Sequence, residues 1–368
     1  MSRDRQSDPY LRYDHSIEQA LPDETEVTQA ILESIARTNV ASFKAHNHGI
    51  RQQHAKGQGY LKGELTVHDD LPEHLRQGLF ASPGSYPIIV RFSTAFGDIR
   101  SDRIRVPRGM AIKVLGVAGT RALPEEDSSA NQDFLLVNHK SYFSNARAYL
   151  TAQRSFELQP STPDIALRAI GLISRGVARL FAQPHGHALL MIAKALGDDG
   201  NNILGERYYS QAALRFGDYV ARLCANPVSP ALRSLAGQPC HDGDHAVLDA
   251  VTAFFRANAA EYQICAQLGT DLARTPVEDA SVDWPEDVAP AQVLGSIRLP
   301  AQVADSPARR AYADEVLSFD PWRCLAAHRP LGSIMRVRRD AYRLSRTFRD
   351  EKNGQRLREP ADISEFPD

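Results

Sequence analysis

Two stretches of this 368-residue chain carry residue types at spacings that could do chemistry. One lies near the C-terminus, in "PLGSIMRVRRDAYRLSRTFRDEK". At about 100° per residue, Met335, Arg338, Tyr342, Ser345 and Arg349 fall within about 80° of one another on a helix. Ile334, Val337, Ala341, Leu344 and Phe348 form the neighbouring apolar stripe, which should face a core. One phenol therefore sits at the edge of a buried face, with a guanidinium one turn before it and another two turns after. A nearby cation favours phenolate, and so does a bound ferric ion. The phenolate form costs about 4 kcal/mol at neutral pH, which a direct bond to iron can supply. Arg349 suits a carboxylate through bidentate pairing. Taken alone, the same pattern also fits a solvated basic helix with one half-buried aromatic.

The second stretch is "IRQQHAKGQGYLKGEL". His54 stands where a basic, irregular segment gives way to the alternation of a half-buried strand, Tyr60 to Leu65. A lone imidazole there fits a satisfied surface or core group as well as a catalytic one.

The elements that must position these residues are readable. "ETEVTQAILESIARTNVASFKA" has helical apolar spacing after a polar arm over residues 1–20. Between 58 and 140 the pattern is strand-like: "GYLKGELTV", "YPIIVRFST", "GMAIKVLGV" and "QDFLLVNHK", broken by turn residues. Helices follow over 145–200, with "PDIALRAIGLISRGVARLFAQ" the clearest. Strands return in "YYSQAALRFGDYVARLCANP", "EYQICAQLGTD" and "AQVLGSIRLP", with the helix "LDAVTAFFRANAA" between the first two. The last helix spans about 331–351. Two strand clusters separated by helices imply an antiparallel sheet or closed barrel with helices packed on one side.

Composition narrows the class. The chain is 43% hydrophobic, enough for a sizeable core, and its formal net charge of −2 gives no pull towards nucleic acid or an anionic membrane. Cys224, Cys240, Cys265 and Cys324 lack C-x-x-C spacing and read as reduced thiols. The N-terminus has no apolar h-region, and no apolar run reaches the roughly 20 residues of a membrane helix. A cytoplasmic protein with no nucleic-acid or membrane partner is the expectation.

"RQQHAKGQGY", "VRFST", "VPRGMAIKV", "NQDFLLVN" and the terminal Arg-x-x-x-Tyr resemble, in the same order, the core of the catalases, and above all the short catalase-related peroxidases. The resemblance runs from about residue 45 to 350. It implies an α+β fold: an antiparallel eight-stranded β-barrel with packed helices, and haem b buried between barrel and C-terminal helix. It divides the chain into an arm and helix over 1–50, one haem domain over 51–351 with a helical insertion at about 145–205, and a tail over 352–368. Residue by residue, His54 corresponds to the distal histidine that shuttles a proton between peroxide oxygens. Asn131 corresponds to the distal neutral donor, and Ser93 to the hydroxyl that fixes the histidine tautomer. Tyr342 corresponds to the axial phenolate on haem iron, and Arg338 to the arginine that keeps it ionised. Arg51, Arg91 and Arg349 correspond to the propionate-binding residues.

Departures matter as well. Asp340 stands where most catalases have an aromatic, Asn131-Gln132-Asp133 replaces Asn-Thr-Pro, and Leu135 and Leu136 replace aromatics. The shorter chain should leave the haem more open. The implied activity is peroxidase reduction of hydrogen peroxide or organic hydroperoxides by a small organic reductant, through a ferryl intermediate, with weak catalase activity. Two alternatives stay open: a fatty acid hydroperoxide isomerase or dehydratase, and a non-catalytic haem or lipid-binding barrel. The family also implies a homodimer. "HNHG" at 46–49, "HDGDH" at 241–245, "PHGH" at 184–187 and "RSDRIRVPRG" read as structural segments; His46 and His48 show no nearby carboxylate. Trp284 and Trp322 are assigned to packing.

Overall fold

A computed structural model describes residues 8–126, 129–157, 161–180, 198 and 200–368. The "PHGH" segment lies outside the described residues. Among the described residues nine strands form one sheet: β1 (Gly57–Val67), β2 (Gly84–Thr94), β3 (Arg108–Val114), β4 (Gln132–Val137), β5 (Tyr208–Tyr209), β6 (Leu214–Phe216), β7 (Tyr219–Pro227), β8 (Ala260–Leu268) and β9 (Ala291–Leu299). All pairings are antiparallel. β5 bonds both β4 and β7, which closes the ring β1-β2-β3-β4-β5-β7-β8-β9. β6 pairs further along the same β7, so β5 and β6 are two halves of one interrupted strand. The result is a closed eight-stranded barrel, which leaves no long unpaired edge.

Alternation decides which side chains go inside. Leu61, Leu65, Ile88, Val90, Phe92, Met110, Ile112, Phe134 and Leu136 fill the barrel. Their neighbours Tyr60, Ile89, Ala111 and Leu135 point outwards and are covered by Leu317, Phe319 and Phe366 from the C-terminal part of the chain. The tail is thus part of the barrel's outer wall, and Phe366 has no exposed surface.

Seven helices surround the barrel among the described residues: α1 (Glu24–His46), α2 (Ala146–Phe156), α3 (Asp164–Leu180), α4 (Pro230–Arg233), α5 (Ala246–Phe255), α6 (Pro307–Ala311) and α7 (Ser333–Asn353). The apolar stripe of α7 does what its spacing predicts. Ile334, Val337 and Ala341 pack with Val27, Ile31 and Ile35 of α1 and with Phe143 and Tyr149 at α2. A π-helical turn, Tyr312–Val316, follows α6. Both tryptophans are buried, as expected. The arm before α1 is stitched to the barrel through the Arg12–Tyr219 bridge. No described helix is long and apolar enough to cross a membrane.

Candidate active site

The register builds one wall of the site. Ser93 on β2 lies opposite Gly57 and Gly109, and Gly109 lies opposite Val137. His54, three residues before β1, is laid against that end of the sheet, and its Nδ1 meets Ser93 Oγ at 3.0 Å. Gly109 makes this contact possible. A Cβ there would stand 2.6 Å from the imidazole and 2.8 Å from Ser93 Oγ. His54 is held with φ = 54°, a left-handed conformation that costs a non-glycine residue on the order of 1 kcal/mol or more. Its carbonyl accepts from Arg91 Nη2 at 2.9 Å. Burial, and then the charges of Arg91 and Arg338, push the imidazole down to about 3. At neutral pH it is therefore an uncharged ring.

The opposite wall is α7. Tyr342 Oη accepts from Arg338 Nη2 at 2.7 Å. Between the walls lie two adjoining cavities, with empty volumes of about 920 and 570 Å³ out to the solvent mouth. His54, Arg338 and Tyr342 line both. Ser93, Ala111 and Leu135 floor one part, while Tyr142, Tyr149 and Ser345 close the other.

Arg51, Arg91 and Arg349, which the resemblance assigns to the propionates, line the cavities together with Arg338 and Arg346. Nε of Arg91 and Nε of Arg349 are buried without a partner. Burial and the charge of Arg51 depress Arg91 to about 10 and Arg349 to about 9. Buried, mutually repelling cations with spare donors fit an anionic group.

Of the eight candidate residues, seven line this cavity; Asn131 does not. Its Nδ2 donates to Glu359 Oε2 and to the Pro360 carbonyl, both at 3.0 Å. It stands four residues before Leu135, about 13 Å along the strand direction. The C-terminal tail takes its amide there, beside the buried Lys113–Asp133–Arg323 cluster. This corrects the placement the motif implied.

The spacing of motifs also left residues unseen. Gln211, with φ = 61°, lines both cavities and donates to the Ser141 carbonyl. It follows from the interruption between β5 and β6, which alternation does not announce. Tyr142 and Tyr149 had no motif, and burial pushes Tyr142 up to about 12 and Tyr149 higher, so both stay protonated. One further reading changes in the folded chain. His46 and His48 do have carboxylate partners, Asp98 at 2.5 Å and Glu315 at 2.7 Å, supplied by distant segments. Cys224 and Cys265 stand directly opposite on β7 and β8, although all four cysteines are free.

Residues 16–123 match the catalase family, a stretch that includes His54, Arg91 and Ser93 but not α7. A search of curated proteins finds no match. Among solved structures the chain is similar to catalase A from Saccharomyces cerevisiae, with a TM-score of 0.54 and 18% identity over 88% of this chain and 67% of that one. The fold is catalase-like. A fungal catalase gives a TM-score of 0.53 and 16% identity, covering 89% of this chain and 67% of that one. A bacterial catalase gives 0.53 and 16%, covering 87% and 62%. Within this catalase-like fold, the cavity lies between the barrel's outer face and the last long helix.

Proposed function

We propose that the chain is a haem-dependent peroxidase that reduces hydrogen peroxide or organic hydroperoxides at the expense of a small organic donor. The observation that carries this reading is the pairing across one cavity of an uncharged, Ser93-bonded His54 with a Tyr342 oxygen that accepts from Arg338. Haem b would supply the redox-active iron at which the peroxide O–O bond breaks. Tyr342 would hold that iron through its phenol oxygen, beside which Arg338 places a cation at 2.7 Å. The unpartnered donors of Arg91 and Arg349 fit the haem carboxylates.

His54 has Ser93 on Nδ1, and no described residue bonds its Nε2. That nitrogen can take a proton from the near peroxide oxygen and hand it to the far one. Ser93 holds the tautomer that leaves Nε2 basic, and the arginines nearby oppose a second proton staying on the ring. The tethered amide of Asn131 leaves His54 without the neutral donor that the resemblance placed beside it. The four free thiols support a cytoplasmic location.

The test is turnover of hydrogen peroxide and of a fatty acid hydroperoxide by haem-loaded protein, with and without an organic electron donor. The expected result is donor-dependent reduction of both, about 100-fold slower in His54→Ala with haem retained. Rapid conversion of the fatty acid hydroperoxide without a donor would replace this reading with an isomerase. Vigorous oxygen release from hydrogen peroxide would replace it with a catalase.

A further inference from the structure

The outer face of the barrel carries a pair of thiols that the cavity does not use. On β7 and β8, Leu223, Ala225, Ile264 and Ala266 point into the barrel, so Cys224 and Cys265 point out of it. The two cysteines are directly opposite in the register. On the same strands the Gly269 amide donates to the Val220 carbonyl and the Val228 amide to the Glu261 carbonyl, both at 2.9 Å. Those are hydrogen-bonded pairs, and alternation makes Cys224 and Cys265 another, with Cα atoms about 5.5 Å apart. A disulfide spans Cα separations of roughly 4.4–6.8 Å, so the strands already stand at bridging distance.

The two thiols differ in character. Cys265 Sγ accepts from Asn226 Nδ2 at 3.5 Å and lies 3.8 Å from the Gln263 carbonyl. The Cys224 thiol donates to Cys265, which draws Cys265 down against the effect of burial; Asn226 and the charge of Arg207 act in the same direction. The same bond, and then burial, push Cys224 up. Cys265 is thus the readier thiolate, and the thiolate is the nucleophile. One rung further along this face Asn226 opposes Gln263. Both line an open cleft with Arg207 and Arg233, with an empty volume of about 830 Å³ out to the solvent, which shares no residue with the cavities of His54 and Tyr342. Cys224 and Cys265 are 3% and 2% exposed, so only an oxidant about the size of water passes Asn226 to reach them.

We infer that Cys224 and Cys265 are a redox modification site, at which hydrogen peroxide entering by this cleft closes a disulfide between β7 and β8. The Cys265 sulfur attacks one peroxide oxygen; the S–O bond forms, the O–O bond breaks, and the other oxygen leaves as water with the proton that Cys265 gave up. Cys265 is then a sulfenic acid, oxidised by two electrons while the peroxide is reduced. The Cys224 sulfur attacks the Cys265 sulfur; the S–S bond forms, the S–O bond breaks, and the hydroxyl leaves as water with the Cys224 proton. Two thiols and one hydrogen peroxide thus give one disulfide and two waters. The bridge ties the ends of the segment that carries α4 and α5. It involves no residue of the cavity, so it stands apart from the reading given to His54 and Tyr342.

The test treats the full chain with excess hydrogen peroxide, at a dose that leaves its circular dichroism unchanged, then alkylates the remaining thiols in denaturant and maps them by peptide mass. The expected result is the joint loss of the Cys224 and Cys265 thiols and the appearance of one peptide pair bridged between them, with Cys240 and Cys324 still alkylated. The bulkier tert-butyl hydroperoxide should leave the pair reduced over the same time. In Cys224→Ser, whose hydroxyl can still donate to Cys265, a sulfenic acid should build up on Cys265 and be trapped by dimedone; in Cys265→Ser, Cys224 should stay a thiol. The inference is overturned if the folded, unmutated protein keeps both thiols under hydrogen peroxide, or if half-buried Cys240 is oxidised in their place. Oxidation of the pair by tert-butyl hydroperoxide as fast as by hydrogen peroxide would overturn the size-limited route through the cleft. The unmutated protein alone decides these outcomes, so none depends on a variant folding.

Discussion

At the scale of single residues, the site depends on how His54 is held. Its ring lies on Gly109, where the added Cβ of Gly109→Ala would stand 2.6 Å from it. The ring must shift, and a displacement of about 1 Å at a reacting group costs about 100-fold. Gly109→Ala should therefore slow the reaction with peroxide by about that factor while destabilising the protein by only about 1–3 kcal/mol. Stopped-flow rates beside urea midpoints check this; an unchanged rate would mean that the imidazole is not the proton carrier. His54 also marks the acid limit. Burial pushes it to about 3 and His328, whose Nε2 accepts from the Leu79 amide, to about 4. Unfolded imidazoles bind a proton near pH 6.5, so the unfolded state holds more protons below that value. Stability is complete above pH 6.5 and is lost as the pH falls towards 4, by up to about 1.4 kcal/mol per pH unit for each imidazole. Urea midpoints between pH 7 and 4.5 should show the decline, and His328→Gln should lessen its slope. A slope indifferent to that change would contradict the argument. At this scale the sequence was a good guide to types and a poor one to partners. The Arg338–Tyr342 pair follows from one helical turn, whereas Asn131 was claimed by Glu359, 228 residues away.

At the scale of elements, α7 must be seated for Tyr342 to face the cavity, and Arg336 seats it. Its guanidinium bonds Glu24 at 2.6 Å, Glu18 at 3.0 Å and Glu278 at 2.9 Å, joining the arm, α1 and the loop before β9 to the first turns of α7. Glu278 also accepts from the Ser333 amide at the helix start. Arg336→Met would leave three carboxylates facing one another. With the side chain 24% exposed, solvent screening reduces the cost to about 1–3 kcal/mol. A urea midpoint should fall accordingly, together with weaker haem retention; a stable variant with tight haem would show that the helix is seated by its apolar stripe alone. Alternation made most strands readable, because one face of each fills the barrel. The interruption between β5 and β6 was not readable, since "YYSQAALRF" keeps its apolar content through the break that turns Gln211 into the cavity.

At the scale of the whole molecule, closure is a long-range fact. Pattern could not decide between an open sheet and a barrel, because the deciding contacts join Tyr209 to Val137 and to Cys224 across the chain. The tail was equally opaque. Residues 352–368 look polar, yet they deliver Phe366 to the outer wall and Glu359 to Lys113 at 2.5 Å. Barrel, tail and α7 together leave one cavity system with an imidazole on one wall and a phenol on the other. The most direct test of the account is the absorption spectrum of the full chain loaded with haem b, compared with that of Tyr342→Phe. The account predicts a high-spin ferric phenolate spectrum in the unmutated protein, altered or abolished in the variant. Identical spectra from the two proteins, or a protein that takes up no haem, would contradict it.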